Sequence, residues 1–325
     1  MSRNGETMSS ANRIDVHQHI VPPAYRDWVN AKGFSFGSIP IPQWDLQETI
    51  DLMDKHGIAT GIVSVSTPGV SLGSGAEARD MAREVNEFAA QVAIDRPDRF
   101  SFFATLPLPD VDGAIAEAVY ALDKLQAAGV ILLANTHGHY LGEKAFDPLM
   151  EELNRRHAIV FVHPSDLPGA SLPGVPPFAA DFLLDTTRAA INLITSGSMT
   201  RHPNLKVILS HAGGFIPYAA HRMALICSTD GTYETGLNNL RQFYFDTALS
   251  GSPTALPSLL AFADSSHILF GSDWPFAPVE AVNHFTNGLD AYPLDPGLRS
   301  AINRQNAEGL FPQFTTSSPT DSKRQ

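Results

Sequence analysis

The feature that most constrains the fold is a rhythm of short apolar runs. Eight segments rich in apolar and β-branched residues recur along the chain, at 13–19 (RIDVHQH), 59–66, 100–108, 129–135, 158–164, 206–212, 243–248 and 267–275. Most are continuously apolar rather than alternating, the pattern of strands buried on both faces of a parallel sheet. Stretches with helical spacing separate them, at 45–57, 77–97, 112–129, 146–157 and 186–203, with Gly57 placed to end the first. Strand, loop and helix repeated eight times predict an α/β fold, a (β/α)8 barrel with its site at the C-terminal strand ends. The rival is an open doubly wound sheet. Its glycine-rich first turn is missing, because VPPAYRDWV follows the first strand.

Composition fits a barrel. The chain has 325 residues, 43% hydrophobic and 17% charged, enough to build one large core, and barrels run this long as one domain. The reading is a barrel over 13–314 between disordered ends at 1–12 and 315–325. Twenty-two basic against 34 acidic residues give a charge of −12, which disfavours nucleic acid or an anionic membrane as the main partner. A single cysteine, Cys227, excludes an intrachain disulfide and is expected to be a buried thiol. The start, MSRNGETMSSANR, is polar and lacks the apolar core of a secretory signal, and no apolar run reaches membrane-span length. A cytoplasmic location is expected.

The polar residues that close the runs carry the chemistry. His17 and His19 lie two apart in a strand, so both imidazoles point to one face. The fifth run ends in His163, the sixth in His211 and the eighth in Asp273. In a barrel these ends converge on one mouth. Four imidazoles and a carboxylate there form a transition-metal site suited to Zn2+ and tolerable to Mn2+. A lone histidine at a strand end is most often a hydrogen-bonded structural residue; five candidates at equivalent barrel positions are a different matter. His56, His157, His202 and His221 read as helix or helix-end residues. His137 and His139, after the fourth run, are candidates for pocket lining.

The motifs DVHQH, VHPSD, LFGSDWPF, NAEGLF and the long segment from DTTRAAINLITSGSMTRHP to SHAGGFIPYAAHR resemble the amidohydrolase superfamily. Within it they are similar to the branch of aminocarboxymuconate-semialdehyde decarboxylase and the aromatic-acid decarboxylases. The resemblance covers roughly residues 13 to 311. It implies an amidohydrolase-type barrel, with metal ligands at His17, His19, His163 and Asp273 and a catalytic histidine at His211. It also implies a substrate-carboxylate arginine at Arg222, which in relatives can reach the neighbouring subunit's site, and hence a homodimer or higher oligomer. The fourth run ends ILLANTH, without the lysine that commonly bridges two metals in dinuclear relatives, so one divalent metal per subunit is expected.

One metal with this ligand set could activate water, as in a lactonase or amide hydrolase, or grip an ortho-hydroxy carboxylate for decarboxylation. In the second case His211 and Asp273 are the candidate proton handlers, and no organic cofactor is needed. The segment after the first strand carries Tyr25, Trp28, Phe34, Phe36 and Trp44, and DWPF adds Trp274 and Phe276. Trp28, Phe36 and Trp274 are read as stacking surfaces for a flat ring. Arg222 or Arg188 is read as the carboxylate partner. Among relatives, IDVHQHIVPPAY looks most like fungal 6-methylsalicylate decarboxylases, which form 3-methylphenol. γ-Resorcylate, 5-carboxyvanillate and isoorotate are the alternative substrates within the branch. A silent binding barrel is disfavoured because every ligand position is filled.

Overall fold

The computed structural model describes residues 11–37, 39–169 and 172–315. Its centre is an eight-stranded parallel sheet in sequential order. The strands are β1 (Arg13–His19), β2 (Ile58–Ser64), β3 (Phe100–Thr105), β4 (Gly129–Leu133), β5 (Ile159–His163), β6 (Lys206–Leu209), β7 (Tyr244–Asp246) and β8 (Ile268–Leu269). Backbone bonds join the last strand to the first: Val16 N–H donates to the Phe270 carbonyl at 3.0 Å and Asp273 N–H to the His17 carbonyl at 2.7 Å. The sheet therefore closes into the (β/α)8 barrel of the amidohydrolase type that the run pattern predicts. The expected disordered ends lie outside the described residues, apart from Ala11, Asn12 and Thr315.

Each helix has a local reason to form. α1 (Pro23–Lys32) begins with proline, whose fixed φ suits a first turn, and stops at Gly33, φ 75°. α2 (Leu46–Lys55) is capped by Asp45, whose carboxylate accepts from the Gln47 and Glu48 N–H groups. α3 (Gly75–Asp95) has a reciprocal cap between Ser74 and Glu77. α4 (Val111–Asp123), α5 (Asp147–Arg155), α6 (Asp181–Thr195), α7 (Ser198–Arg201), α8 (Ile216–Ala224), α9 (Tyr233–Arg241), α10 (Ala255–Phe262) and α11 (Val279–Ala291) complete the main outer ring.

Two apolar layers result. One lies between sheet and helices, with Phe102, Val130, Leu149 and Leu193 among its members. The other fills the barrel interior with Ile14, Val16, Phe103, Phe161, Ile208 and Phe311. The interior is thus a packed core, and the site must sit above it. Cys227 is buried, as expected. Among the described residues no helix is long and apolar enough to cross a membrane.

The strands are shorter than their apolar runs. The sixth run extends to Ala212, yet β6 ends at Leu209; the eighth extends to Pro275, yet β8 ends at Leu269. His211 and Asp273 therefore stand on loops just past the strand ends. Both take left-handed backbone, at φ 52° and 64°. That conformation costs a non-glycine residue on the order of 1–3 kcal/mol and persists only where the surroundings impose it.

Candidate metal and active site

The two histidines of β1 meet as the strand period requires. His17 Nε2 and His19 Nε2 are 3.1 Å apart, and each lies 3.1 Å from Asp273 Oδ1. His163 joins from β5, its ring centroid 4.9 Å from that of His19. One ligand atom from each of His17, His19, His163 and Asp273 lies within 4.8 Å of all the others, and all four residues are buried. Phe161 from the core packs against His17 from below, with ring centroids 4.9 Å apart. Gly271 allows the close approach of the last loop: a Cβ there would sit 2.8 Å from the His17 Cβ.

The outer ring nitrogens fix the tautomers. His17 Nδ1–H donates to Asp246 Oδ2 at 2.7 Å, His19 Nδ1–H to the Ser64 carbonyl at 3.2 Å, and His163 Nδ1–H to the Pro164 carbonyl at 2.9 Å. Nε2 of His17 and of His19 is turned to the cluster, and Nε2 is the ring nitrogen His163 keeps for it, the arrangement of metal-ligating histidines held from behind. Lone pairs at 3.1 Å from each other and from a carboxylate oxygen repel unless a cation lies among them. The spacing suits one: neighbouring ligands about an ion with bonds of ~2.1 Å stand roughly 3.0–3.4 Å apart.

Charge agrees. Asp246 and Asp273 are both buried here. Burial opposes charge on His17, but Asp246 and then Asp273 outweigh it and raise its pKa to about 10. Burial, reinforced by the neighbouring imidazoles, holds His163 well below its usual value. Asp273 is held well below the usual carboxylate range: burial works the other way, but His17, His19 and His211 together prevail. The two buried carboxylates favour positive charge at His17, a proton that a divalent ion would displace, while burial leaves His19 and His163 unprotonated.

Asp246 is the residue that reading the sequence missed. It closes the apolar run FYFD as His163 closes VFVH, and that was the available signal. Its Oδ2 holds His17, and its Oδ1 accepts from the His211 and Ala248 N–H groups, both at 2.9 Å. It thus positions a candidate ligand and the candidate catalytic histidine together. Asp246→Asn is expected to lower metal affinity about 10–100-fold, the usual loss for an outer-shell partner. Competition with a metal indicator measures this; unchanged affinity would remove the assigned role.

His211 is placed apart from the ligand cluster. Its Nε2 lies 3.4 Å from Asp273 Oδ2, so one carboxylate oxygen turns toward the β1 histidines and the other toward His211. Its Nδ1 is buried without a partner among the described residues. His211 and Asp273 form one end of a cavity of about 700 Å3, walled by Phe36, Phe182, Phe276 and Leu249. Phe36 and Phe276 stand 4.2 Å apart between ring centroids, and Phe276 meets His19 at 5.2 Å.

Other candidate contacts are not brought to this cavity. Trp274 turns away, and its Nε1–H donates to Thr49 Oγ1 on α2 at 3.1 Å. Trp28 lies against Tyr25 and under Lys32 Nζ on α1. Arg188 projects from α6 beside Tyr140 and Asp185. Arg222 is exposed on α8 and does not line the cavity of its own chain. His137 lines a second cavity, of about 500 Å3, with its Nε2 3.0 Å from the Ser71 carbonyl. His139 pairs instead with Glu143, at 2.9 Å.

The chain matches the amidohydrolase family over residues 14–313. It is 40% identical to the decarboxylase macB of Penicillium terrestre, over 93% of this chain and 96% of that protein. It is 38% identical to a 6-methylsalicylic acid decarboxylase of Penicillium expansum, over 93% and 97%. Among solved structures, a crystal structure of amidohydrolase II superposes with a TM-score of 0.87 at 30% identity, over 92% of this chain and 99% of that one. The chain belongs to the amidohydrolase family, in the branch that contains these fungal decarboxylases.

Proposed function

We propose that the protein is a metal-dependent, non-oxidative decarboxylase of an ortho-hydroxy aromatic acid, with 6-methylsalicylate going to 3-methylphenol and CO2. The observation that carries the reading is the junction of a four-ligand cluster, through Asp273, with an aromatic-walled cavity that contains the separate His211. His17, His19, His163 and Asp273 would hold one divalent ion, Zn2+ in the first instance and Mn2+ in the second. When bound, it supplies Lewis-acid attraction for the substrate's carboxylate and ortho oxygen.

The chain's residues supply the rest. Phe36, Phe182 and Phe276 offer faces and edges to a flat ring and exclude water from it. His211, with Asp273 Oδ2 beside its Nε2, holds the proton that the ring carbon bearing the carboxylate must gain; such contacts are often long without substrate. That carbon takes the proton, its bond to the carboxylate breaks, and the bonding pair returns to the ring as CO2 leaves. No electron is transferred to a third party, so no organic cofactor is required.

The walls favour a methyl neighbour over a second polar substituent. No lysine, arginine, asparagine or glutamine is among the described residues of the cavity. A second ring hydroxyl or the carbonyls of isoorotate would find few strong partners, and an unpaired buried polar group costs on the order of 1–3 kcal/mol. 6-Methylsalicylate is therefore expected to be turned over by metal-loaded protein, with one deuterium at the vacated ring carbon when the reaction runs in 2H2O. 2-Methylbenzoate, which lacks the ortho oxygen, should be inert. Product mass spectrometry decides it. Opening of a lactone or amide with every hydroxybenzoate untouched would replace this reading with a hydrolase.

A homodimer or larger homo-oligomer belongs to the same proposal. Phe215, Tyr218, Leu225 and Ile226 are exposed on and around α8, at spacings that put them beside Arg222. Such a stripe is suited to cover by another chain, which would bring Arg222 to a neighbour's cavity. Arg222→Ala mixed with a His163→Ala chain should regain one working site per hetero-dimer. A fully active monomer in sedimentation would eliminate this arrangement.

A further inference from the structure

The cavity is larger than 6-methylsalicylate requires. That acid has roughly eleven non-hydrogen atoms, fewer than the drug-sized ligands that pockets of ~300–1,000 Å3 bury. In a single chain the cavity measures about 700 Å3, and its mouth at Tyr218 is where the proposed neighbouring chain would lie, so the room that matters here is the inner part along α10 and α11. His211, Asp273 and Ser250 are its buried polar residues, 7%, 4% and 6% exposed, and His211 Nδ1 lacks a partner among the described residues. The lining continues onto α10 through Ala255 and Ser258, and onto α11 through Ala281 and Phe285.

Small side chains keep this trough open, since Ala255 and Ala281 offer one methyl each. Of the four hydroxyl residues that line the cavity, Tyr218, Ser250, Thr254 and Ser258, two are already engaged within the chain. Ser250 Oγ–H donates to the Ala248 carbonyl at 3.0 Å, and Thr254 Oγ1 lies 3.2 Å from Ser252 Oγ. The trough therefore offers mainly apolar contact.

We infer that the site accepts hydroxybenzoates whose ring carries an alkyl arm longer than methyl, with the arm lying in the trough between α10 and α11. The inference rests on the decarboxylase reading and adds a substrate class to it. The ring chemistry is unchanged: one proton is gained at the carboxylate-bearing carbon and CO2 is lost.

The test gives metal-loaded protein 6-methylsalicylate, 6-pentylsalicylate and 4-pentylsalicylate side by side. Both pentyl acids lead to 3-pentylphenol, whose binding is compared with that of 3-methylphenol by calorimetry. At least one pentyl acid is expected to equal or exceed the methyl acid in kcat/KM. 3-Pentylphenol should bind at least about tenfold more tightly, since each buried methylene contributes roughly fourfold. Ala281→Phe and, separately, Ser258→Leu fill the trough from opposite walls. Either should cut the pentyl-to-methyl ratio of kcat/KM by about tenfold or more. Refusal of both pentyl acids while the methyl acid reacts overturns the inference, as does an unmoved ratio in a folded variant. If no salicylate reacts but 3-pentylphenol binds more tightly and Ala281→Phe removes that gain, the trough stands and the decarboxylase reading falls.

Discussion

His163→Ala is expected to lose metal and activity together. His163 is fully buried at the end of β5, its Nδ1–H is held by the Pro164 carbonyl, and one of its ring nitrogens lies within 4.8 Å of the other candidate ligand atoms. Removing it takes one of four ligands and leaves a void that alanine cannot fill. The loss of metal affinity should exceed the ~10–100-fold that an outer-shell change costs. Lewis-acid stabilisation is worth several kcal/mol, and each 1.36 kcal/mol is tenfold in rate, so turnover should fall on the order of 10²–10⁴-fold. A chelator should do the same to the unaltered protein, and added Zn2+ or Mn2+ should restore it. Elemental analysis beside the activity assay checks the coupling. About one ion per chain is expected. Two ions per chain, or full activity without any, would dismantle the proposed centre.

His211→Ala is expected to keep the metal and lose most turnover. Ring distances alone do not separate His211 from the ligands, because its centroid is 4.8 Å from that of His17, as close as His19 at 4.9 Å. The separation comes from the nitrogen atoms. His17 and His19 direct Nε2 to Asp273 Oδ1, whereas His211 directs Nε2 to Oδ2. A general acid–base group of this kind contributes about 10²–10⁴-fold. The variant should therefore match the parent in metal content and fall by that factor in kcat. Loss of the ion in this variant would make His211 a ligand and return the proton to Asp273 alone.

Much of this was legible in the chain. The eight apolar runs predicted the barrel because a parallel sheet covered on both faces demands them. His17 and His19 were readable as a facing pair because a strand alternates with a period of two. The termination of apolar runs by His163, His211 and Asp273 pointed to one mouth. The same rule applied to FYFD would have found Asp246. The aromatic segment after β1 was less informative. Phe36 reaches the cavity, Phe34 lines the second one, and Trp28 faces neither.

Short periodicities encode which residues share a face with their own neighbours, and at which end of each strand the polar groups lie. Direction between elements comes from packing across the barrel. Trp274 is one residue from Asp273, yet it packs toward α2 while Phe276 enters the cavity, because Asp273 takes left-handed backbone and the loop bends there. Arg188 and Arg222 sit on helices whose rotation about their own axes is set by which apolar stripe meets the sheet, leaving both outside the cavity. The division of Asp273 between ligand cluster and His211, and the hold of Asp246 on both His17 and the His211 backbone, join residues 35 to 256 positions apart in the chain. Contacts of that range depend on barrel closure and loop packing, which no local pattern specifies.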